Sequence, residues 1–318
     1  MKIVVLEGLG LPESDIREIA KPITDEGHEI VQYERTDDVE LLKQRVKDAD
    51  ILVIANMPLS GEIIRAAENL KYISIAFTGY DHVDLEACKE RNVKVSNAAG
   101  YSTISVPELV FGMVISFLRS IHTLDRTTRD GKTKAGSTQK EIYGKKFGII
   151  GTGAIGSRVA KLAIAFGATV LAYSRTEKEE LKSLGVKYVT LDELLSESDI
   201  ISIHTPLTKE TRGLIDREKI ALMKPTSILV NTARGPIVDT RALVDALKEG
   251  RIAGACLDVF DQEPPLSRDY QILSLPNTLI TPHIGFATDE AMVRRAHITF
   301  SENIYNWLKG QHINKVEF

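Results

Sequence analysis

The stretch Phe147-Gly-Ile-Ile-Gly-Thr-Gly-Ala-Ile-Gly156 decides the fold of this chain. The apolar run 147–151 reads as a strand, glycines stand at 151, 153 and 156, and a helical pattern fills 155–166. A strand, turn and helix of this kind make a seat for a dinucleotide pyrophosphate. Gly151 permits the tight turn. Gly153, with Ala154 and Ile155 beside it, brings backbone N–H groups up to the phosphates, and Gly156 lets helix and strand pack closely. The helix N-terminus adds partial positive charge beneath the anion.

The next strand, Val170–Ser174, indicates which dinucleotide. An NAD site usually ends this strand in Asp or Glu, whose carboxylate accepts from the adenosine ribose hydroxyls. Here the strand ends in Ser174, followed by Arg175 and Thr176. No carboxylate repels a 2′-phosphate, and a guanidinium and two hydroxyls are placed to receive one. The expected cofactor is NADP(H) in preference to NAD(H), with NAD(H) still possible.

Composition narrows the class. At 318 residues the chain has room for two ordinary domains. The 40 Lys and Arg nearly balance 44 Asp and Glu, so no general attraction to nucleic acid or an anionic membrane is expected. Met1-Lys-Ile-Val-Val-Leu runs straight into Glu7, too short for an export signal, and a cytoplasmic location is the expectation. Two cysteines, Cys88 and Cys256, form no framework, and the histidines have no ligand spacing. No metal is expected.

Short apolar runs alternate with helical patterns throughout, the mark of parallel sheets with crossover helices. Strands are expected at 2–6, 30–33, 51–55, 72–75 and 94–96, with helices near 13–26, 38–47, 60–68 and 84–91. A helical segment over 106–127 leads into the dinucleotide unit. Further strands are expected at 169–174, 200–204, 227–231, 253–258 and 278–281, then a long helix over 288–307. The polar stretch 130–141 reads as a surface loop. The fold class is α/β, with two doubly wound parallel-sheet domains and a cleft between them. Residues 1–100 and 288–318 would form a discontinuous substrate domain, and 101–287 the dinucleotide-binding domain.

Three segments end strands at one edge of the second domain: Asn231-Thr-Ala-Arg-Gly235, Leu257-Asp-Val-Phe-Asp-Gln-Glu-Pro-Pro265 and Thr281-Pro-His-Ile-Gly285. An arginine fork suits a small carboxylate, and a histidine beside a carboxylate suits proton transfer. Together with the glycine turn, these motifs resemble the D-isomer-specific 2-hydroxyacid dehydrogenase family in order and spacing. Thr78-Gly-Tyr-Asp-His-Val-Asp-Leu-Glu-Ala-Cys88 is similar to its substrate loop.

The resemblance implies a flavodoxin-like substrate domain, a Rossmann cofactor domain and a homodimer joined through the latter. It implies that Arg234 binds the substrate carboxylate, that His283 is the acid–base residue and that Glu263 orients it. Thr78 and Gly79 complete the carboxylate site. Asp258 hydrogen-bonds the nicotinamide carboxamide, Thr232 and Ala233 flank the ring, Gly285 also belongs to the cofactor site, and Thr205 and Pro206 line the adenosine side. His82 and His204 read as structural or peripheral. Met57, Pro58, Leu59, Tyr80 and Phe286 are expected to face the substrate side chain. The implied reaction interconverts a small 2-oxo acid, such as glyoxylate or hydroxypyruvate, and its (R)-2-hydroxy acid. Glu263 in place of glutamine argues against formate oxidation, and the ending at Phe318 leads to the expectation of no regulatory domain. The alternative is a dinucleotide-sensing scaffold like the corepressors of this fold.

Overall fold

The computed structural model describes residues 1–262 and 265–318. The chain divides into two compact units, Met1–Ser102 with Phe286–Phe318, and Thr103–Gly285.

In the first unit, β1 (Lys2–Val5), β2 (Glu29–Gln32), β3 (Ile51–Ile54), β4 (Tyr72–Ile75) and β5 (Lys94–Asn97) form a parallel sheet ordered β2-β1-β3-β4-β5. Every residue of β3 and β4 is buried, so the strands read as continuous apolar runs. Successive side chains point to opposite faces. Val4, Leu52 and Ile73 enter one core, while Ile3, Val5, Ile51 and Val53 enter the other with Ala296, Phe300 and Ile304 of the terminal helix.

The second unit contains β6 (Lys146–Ile150), β7 (Thr169–Tyr173), β8 (Lys187–Tyr188), β9 (Ile200–Ile203), β10 (Ile228–Asn231), β11 (Gly254–Leu257) and β12 (Thr278–Ile280). Their order is β12-β11-β10-β9-β6-β7-β8, all parallel. The chain runs outward from β6 through β7 and β8, then returns to β9 and proceeds the other way. That reversal opens a crevice at the carboxyl ends of β6 and β9, where ligands of such sheets bind.

Four elements differ from the sequence-based expectation. The segment near 13–26 is two helices, Glu13–Ile19 and Lys21–Asp25, with Pro22 in the first turn of the second. The expected 106–127 helix breaks into Ser105–Leu118 and Ile121–Arg129, because Ser120 takes a left-handed φ of 52°. The terminal helix carries a π segment, His297–Ile304, between two α-helical pieces. There Asn303 Nδ2 donates to the Asn97 carbonyl, a tertiary bond that local periodicity cannot report. Strand β8 has two residues, too few to show a pattern. Among the described residues no helix is long and apolar enough to cross a membrane.

Candidate cofactor and catalytic site

The glycine turn has the geometry its sequence implies. β6 ends at Ile150, and Gly151, at φ +94°, donates its N–H to the Tyr173 carbonyl at 2.7 Å. A Cβ there would come within 2.9 Å of the His204 carbonyl and the Thr205 methyl group. A Cβ on Gly156 would land on the Gly151 carbonyl oxygen. A Cβ on Gly153 would meet nothing within 4 Å, so this residue fronts open space. Gly153 is also the N-cap of helix Ala154–Ala165 and provides no side-chain cap, leaving first-turn N–H groups for an external acceptor.

Orphaned hydroxyls test whether these residues fit a nicotinamide dinucleotide. Thr205 Oγ1 and Thr232 Oγ1 are buried with no hydrogen-bond partner among the described residues. An unsatisfied buried hydroxyl costs about 1–3 kcal/mol, and polar groups of a bound molecule would relieve it. Both threonines belong to the expected cofactor set, so the site fits. Pro206 is exposed beside Thr205, its carbonyl accepting from Thr211 Oγ1 at 2.6 Å.

His204 backs this turn and is half-buried. Burial pushes its imidazole down to about 3, so it is neutral, and its Nε2 lies 2.8 Å from Ser202 Oγ. That fits a structural role. On the adenosine side, Ser174 Oγ accepts from the Thr152 N–H at 3.4 Å, while Arg175 and Thr176 are exposed. The carboxylate that feels Arg175 is Glu210, in the loop after β9. Its acidity is raised first by a Thr208 hydrogen bond and to a lesser degree by the arginine.

The carboxyl ends of β10, β11 and β12 lie side by side, which brings together the segments bearing Arg234, Asp258 and His283. Asn231 shapes the first of these loops. Its Oδ1 accepts from the Ala233 N–H at 3.0 Å and its Nδ2 donates to the Arg234 carbonyl at 2.9 Å. Sequence reasoning quoted Asn231 in a motif without giving it this role. Half-buried Arg234 donates from Nη1 to the Ala233 carbonyl at 2.9 Å. Gly235 is obligatory, because a Cβ would land on the Phe260 carbonyl.

Asp258 was expected to face the nicotinamide carboxamide. Its fully buried carboxylate accepts from three groups of the histidine loop: Thr281 Oγ1 at 2.5 Å, Ile284 N–H at 2.8 Å and Gly285 N–H at 2.8 Å. Burial raises its carboxyl above the ordinary value, and these bonds pull the other way. Between Thr281 and Ile284 sits His283, half-buried with φ 59°, an unusual backbone state for a non-glycine residue. Asp258 thus ties the Thr281 side chain ahead of the histidine and the main chain that follows it. Glu263 lies outside the described residues, as does Pro264.

In the first unit, Thr78 and Gly79 follow β4. Asn97 Nδ2 donates to the Thr78 carbonyl at 2.7 Å, and Thr78 Oγ1 is buried without a partner among the described residues. Met57 and Leu59 are 1% exposed and sit in the core, unlike the pocket-facing role expected of them, whereas Pro58 and Tyr80 are exposed. Buried Glu7 holds this segment by accepting from the Ala55 and Met57 N–H groups at 2.7 and 2.8 Å, a role no sequence pattern signalled. Phe286 packs edge-on against Phe77, ring centroids 5.0 Å apart.

A parallel-sheet unit with a dinucleotide turn and a second, flavodoxin-like unit in one chain define a nicotinamide-dependent dehydrogenase. Residues 111–285, more than half of the chain, match the NAD-binding domain of the D-isomer-specific 2-hydroxyacid dehydrogenases. The chain belongs to that family. It is 40% identical over 275 residues to a glyoxylate reductase of Korarchaeum cryptofilum, covering 84% of this chain and 82% of that protein. It is 42% identical over 281 residues to a hydroxypyruvate reductase of Thermotoga maritima, covering 87% and 90%. An acyclic imino acid reductase solved with NADPH and D-Arg superposes with a TM-score of 0.90 over 100% of both chains, at 30% identity. The protein is an enzyme, a D-2-hydroxyacid dehydrogenase with a nicotinamide dinucleotide cofactor.

Proposed function

We propose that the enzyme reduces small 2-oxo acids, glyoxylate and hydroxypyruvate foremost, to (R)-2-hydroxy acids, with NADP(H) preferred over NAD(H). The observation that carries this reading is the Asp258-held histidine loop lying beside the Arg234 loop at one sheet edge. The names of the reductases it resembles support the substrate class. Ser174, Arg175 and Thr176 at the end of β7 support the cofactor preference, as does the NADPH of the imino acid reductase.

The bound reduced nicotinamide supplies the hydride. Arg234 grips the substrate carboxylate with two parallel N–H donors and draws electron density from the adjacent carbonyl. Thr78 and Gly79 hold the same carboxylate from the unit Met1–Ser102 with Phe286–Phe318, which serves as the substrate domain. His283 donates a proton to the carbonyl oxygen and takes it back in the reverse direction. Glu263 keeps the imidazole in the productive tautomer. Gly151, Gly153, Ala154, Ile155 and Gly156 seat the pyrophosphate. Thr205 and Pro206 line the adenosine, and Thr232, Ala233, Asp258 and Gly285 surround the nicotinamide.

The enzyme works as a homodimer. Tyr143, 76% exposed, and Phe166 line a cavity of about 240 Å³ on the cofactor unit, an apolar surface suited to a second copy. Tyr143→Glu is expected to shift the sedimentation coefficient to that of a monomer. Turnover is tested with His283→Ala. Glyoxylate reduction should fall by about 10²–10⁴-fold, the worth of a positioned acid, while cofactor binding is retained. Unchanged turnover would remove His283 from the reaction.

A further inference from the structure

The reading of the cofactor as NADP(H) leaves Lys178, a cation near the glycine turn, without a role, and the inference rests on that reading. We propose that Lys178 is a specificity-determining residue, supplying with Arg175 the positive charge that selects a dinucleotide bearing a phosphate on its adenosine ribose.

Lys178 is half-buried and reaches back to the glycine-turn helix, where its Nζ donates to Ser157 Oγ at 2.9 Å. That partner is neutral. Among the described residues Lys178 forms no ion pair, although three glutamates flank it in sequence. Glu177 and Glu179 are paired with Lys182 at 2.7 and 2.8 Å, and Glu180 is paired with Lys161. The ammonium also sits in the first turn of helix Ala154–Ala165, the end at which the helix dipole disfavours a cation and favours an anion. Glu180 feels the Lys178 charge only at longer range, after Lys161, so a lysine in no direct ion pair stands at the positive end of a helix, a setting that suits an anion.

The surrounding bonds direct that charge towards the adenosine side. The Lys178 N–H donates to Tyr188 Oη at 3.0 Å, and Tyr188 Oη donates to Thr152 Oγ1 at 3.1 Å. Ser157 Oγ donates to the Thr152 carbonyl at 2.9 Å, and the Thr152 N–H donates to Ser174 Oγ. The segment Ser174–Lys178 is therefore clamped onto the glycine turn at both ends. It offers an arginine fork, a lysine point charge and the hydroxyls of Ser174 and Thr176. A phosphate dianion calls for this combination; a plain ribose hydroxyl gains little from it.

The test is direct titration of nicotinamide fluorescence with NADPH and NADH, for wild type, Arg175→Ala, Lys178→Met and Lys178→Arg. Lys178→Met should weaken NADPH binding by about tenfold, roughly the worth of one charge-assisted contact. NADH binding should stay within about twofold, because that ligand lacks the phosphate such a contact serves. Lys178→Arg should preserve the preference. Equal weakening of both cofactors would make Lys178 a structural clamp only and overturn the inference, as would no change in either. If Arg175→Ala erodes the NADPH preference and Lys178→Met does not, the inference fails alone. If wild type binds NADH as tightly as NADPH, the cofactor reading fails and takes the inference with it.

Discussion

Replacing Asp258 with asparagine keeps the shape of the side chain and removes its charge. The carboxylate accepts three bonds from the histidine loop, two of them from the main-chain N–H groups that follow His283. An asparagine oxygen can keep Thr281 and Ile284, but its NH2 then faces the Gly285 N–H, donor against donor. One charge-assisted bond is lost and a buried N–H is left unmatched, together worth about 2–4 kcal/mol. Part of this is offset, since burying the carboxylate already costs free energy, as its raised pKa records. The net loss should be about 2 kcal/mol, read as a lower urea midpoint with an unchanged m-value. The catalytic loss should exceed the loss of stability. His283 occupies a left-handed backbone state that these bonds over-determine, and misaiming a catalytic group by about 1 Å can cost about 10²-fold. Single-turnover hydride transfer should therefore slow by about that factor, while the cofactor Kd, read by fluorescence, changes much less. A folded Asp258→Asn enzyme with wild-type stability and wild-type transfer rate would refute the reasoning.

Three further outcomes follow from named contacts. His204 is neutral in the fold because burial holds its pKa at about 3, whereas an unfolded imidazole binds a proton near the ordinary value of about 6.5. Its contribution is therefore intact above about pH 6.5 and is lost at about 1.4 kcal/mol per pH unit as the pH falls towards the folded-state value. Urea unfolding from pH 7 to 4.5 should show a steeper acid loss for wild type than for His204→Gln; parallel slopes would contradict this. Gly156→Ala drives a methyl group into the Gly151 carbonyl, so it should lose about 1–3 kcal/mol and most dinucleotide affinity. Thermal melts with and without cofactor would detect both losses, and a normal cofactor-induced shift would clear Gly156 of this role. Arg234→Lys keeps the charge but loses the fork, so kcat/KM for glyoxylate should fall by at least about tenfold, the equivalent of about 1.4 kcal/mol. Unchanged kinetics would put the carboxylate elsewhere.

Much of this was readable in the residues. The glycine turn, the order of strands around it and the resemblance carried by the three loop motifs announced both sheets, because fully buried parallel strands leave unbroken apolar runs such as Ile51–Ile54 and Ile200–Ile203. What stayed hidden depends on contacts distant in sequence. The break at Ser120 and the π segment at His297–Ile304 are imposed by backbone states and tertiary bonds that helical periodicity does not encode. Asp258 was visible as a motif residue, but its grip on Ile284 and Gly285 spans more than twenty positions and required coordinates. Glu7 is a similar case, a lone acidic residue whose two amide partners lie about fifty positions away. Lys178 stands in the charged run Glu177–Lys182, and its bond to Ser157, 21 positions away, is what sets it apart from the glutamates around it.

The central claim is a reductase whose acid is His283 and whose preferred cofactor carries a 2′-phosphate. The most direct measurement is kcat/KM for glyoxylate and hydroxypyruvate with NADPH and NADH in parallel, for wild type and His283→Ala. The account predicts clear turnover by wild type, faster with NADPH, and a loss of about 10²–10⁴-fold in the variant. Cofactor binding without turnover of any 2-oxo acid, or equal rates for the two proteins, would contradict it.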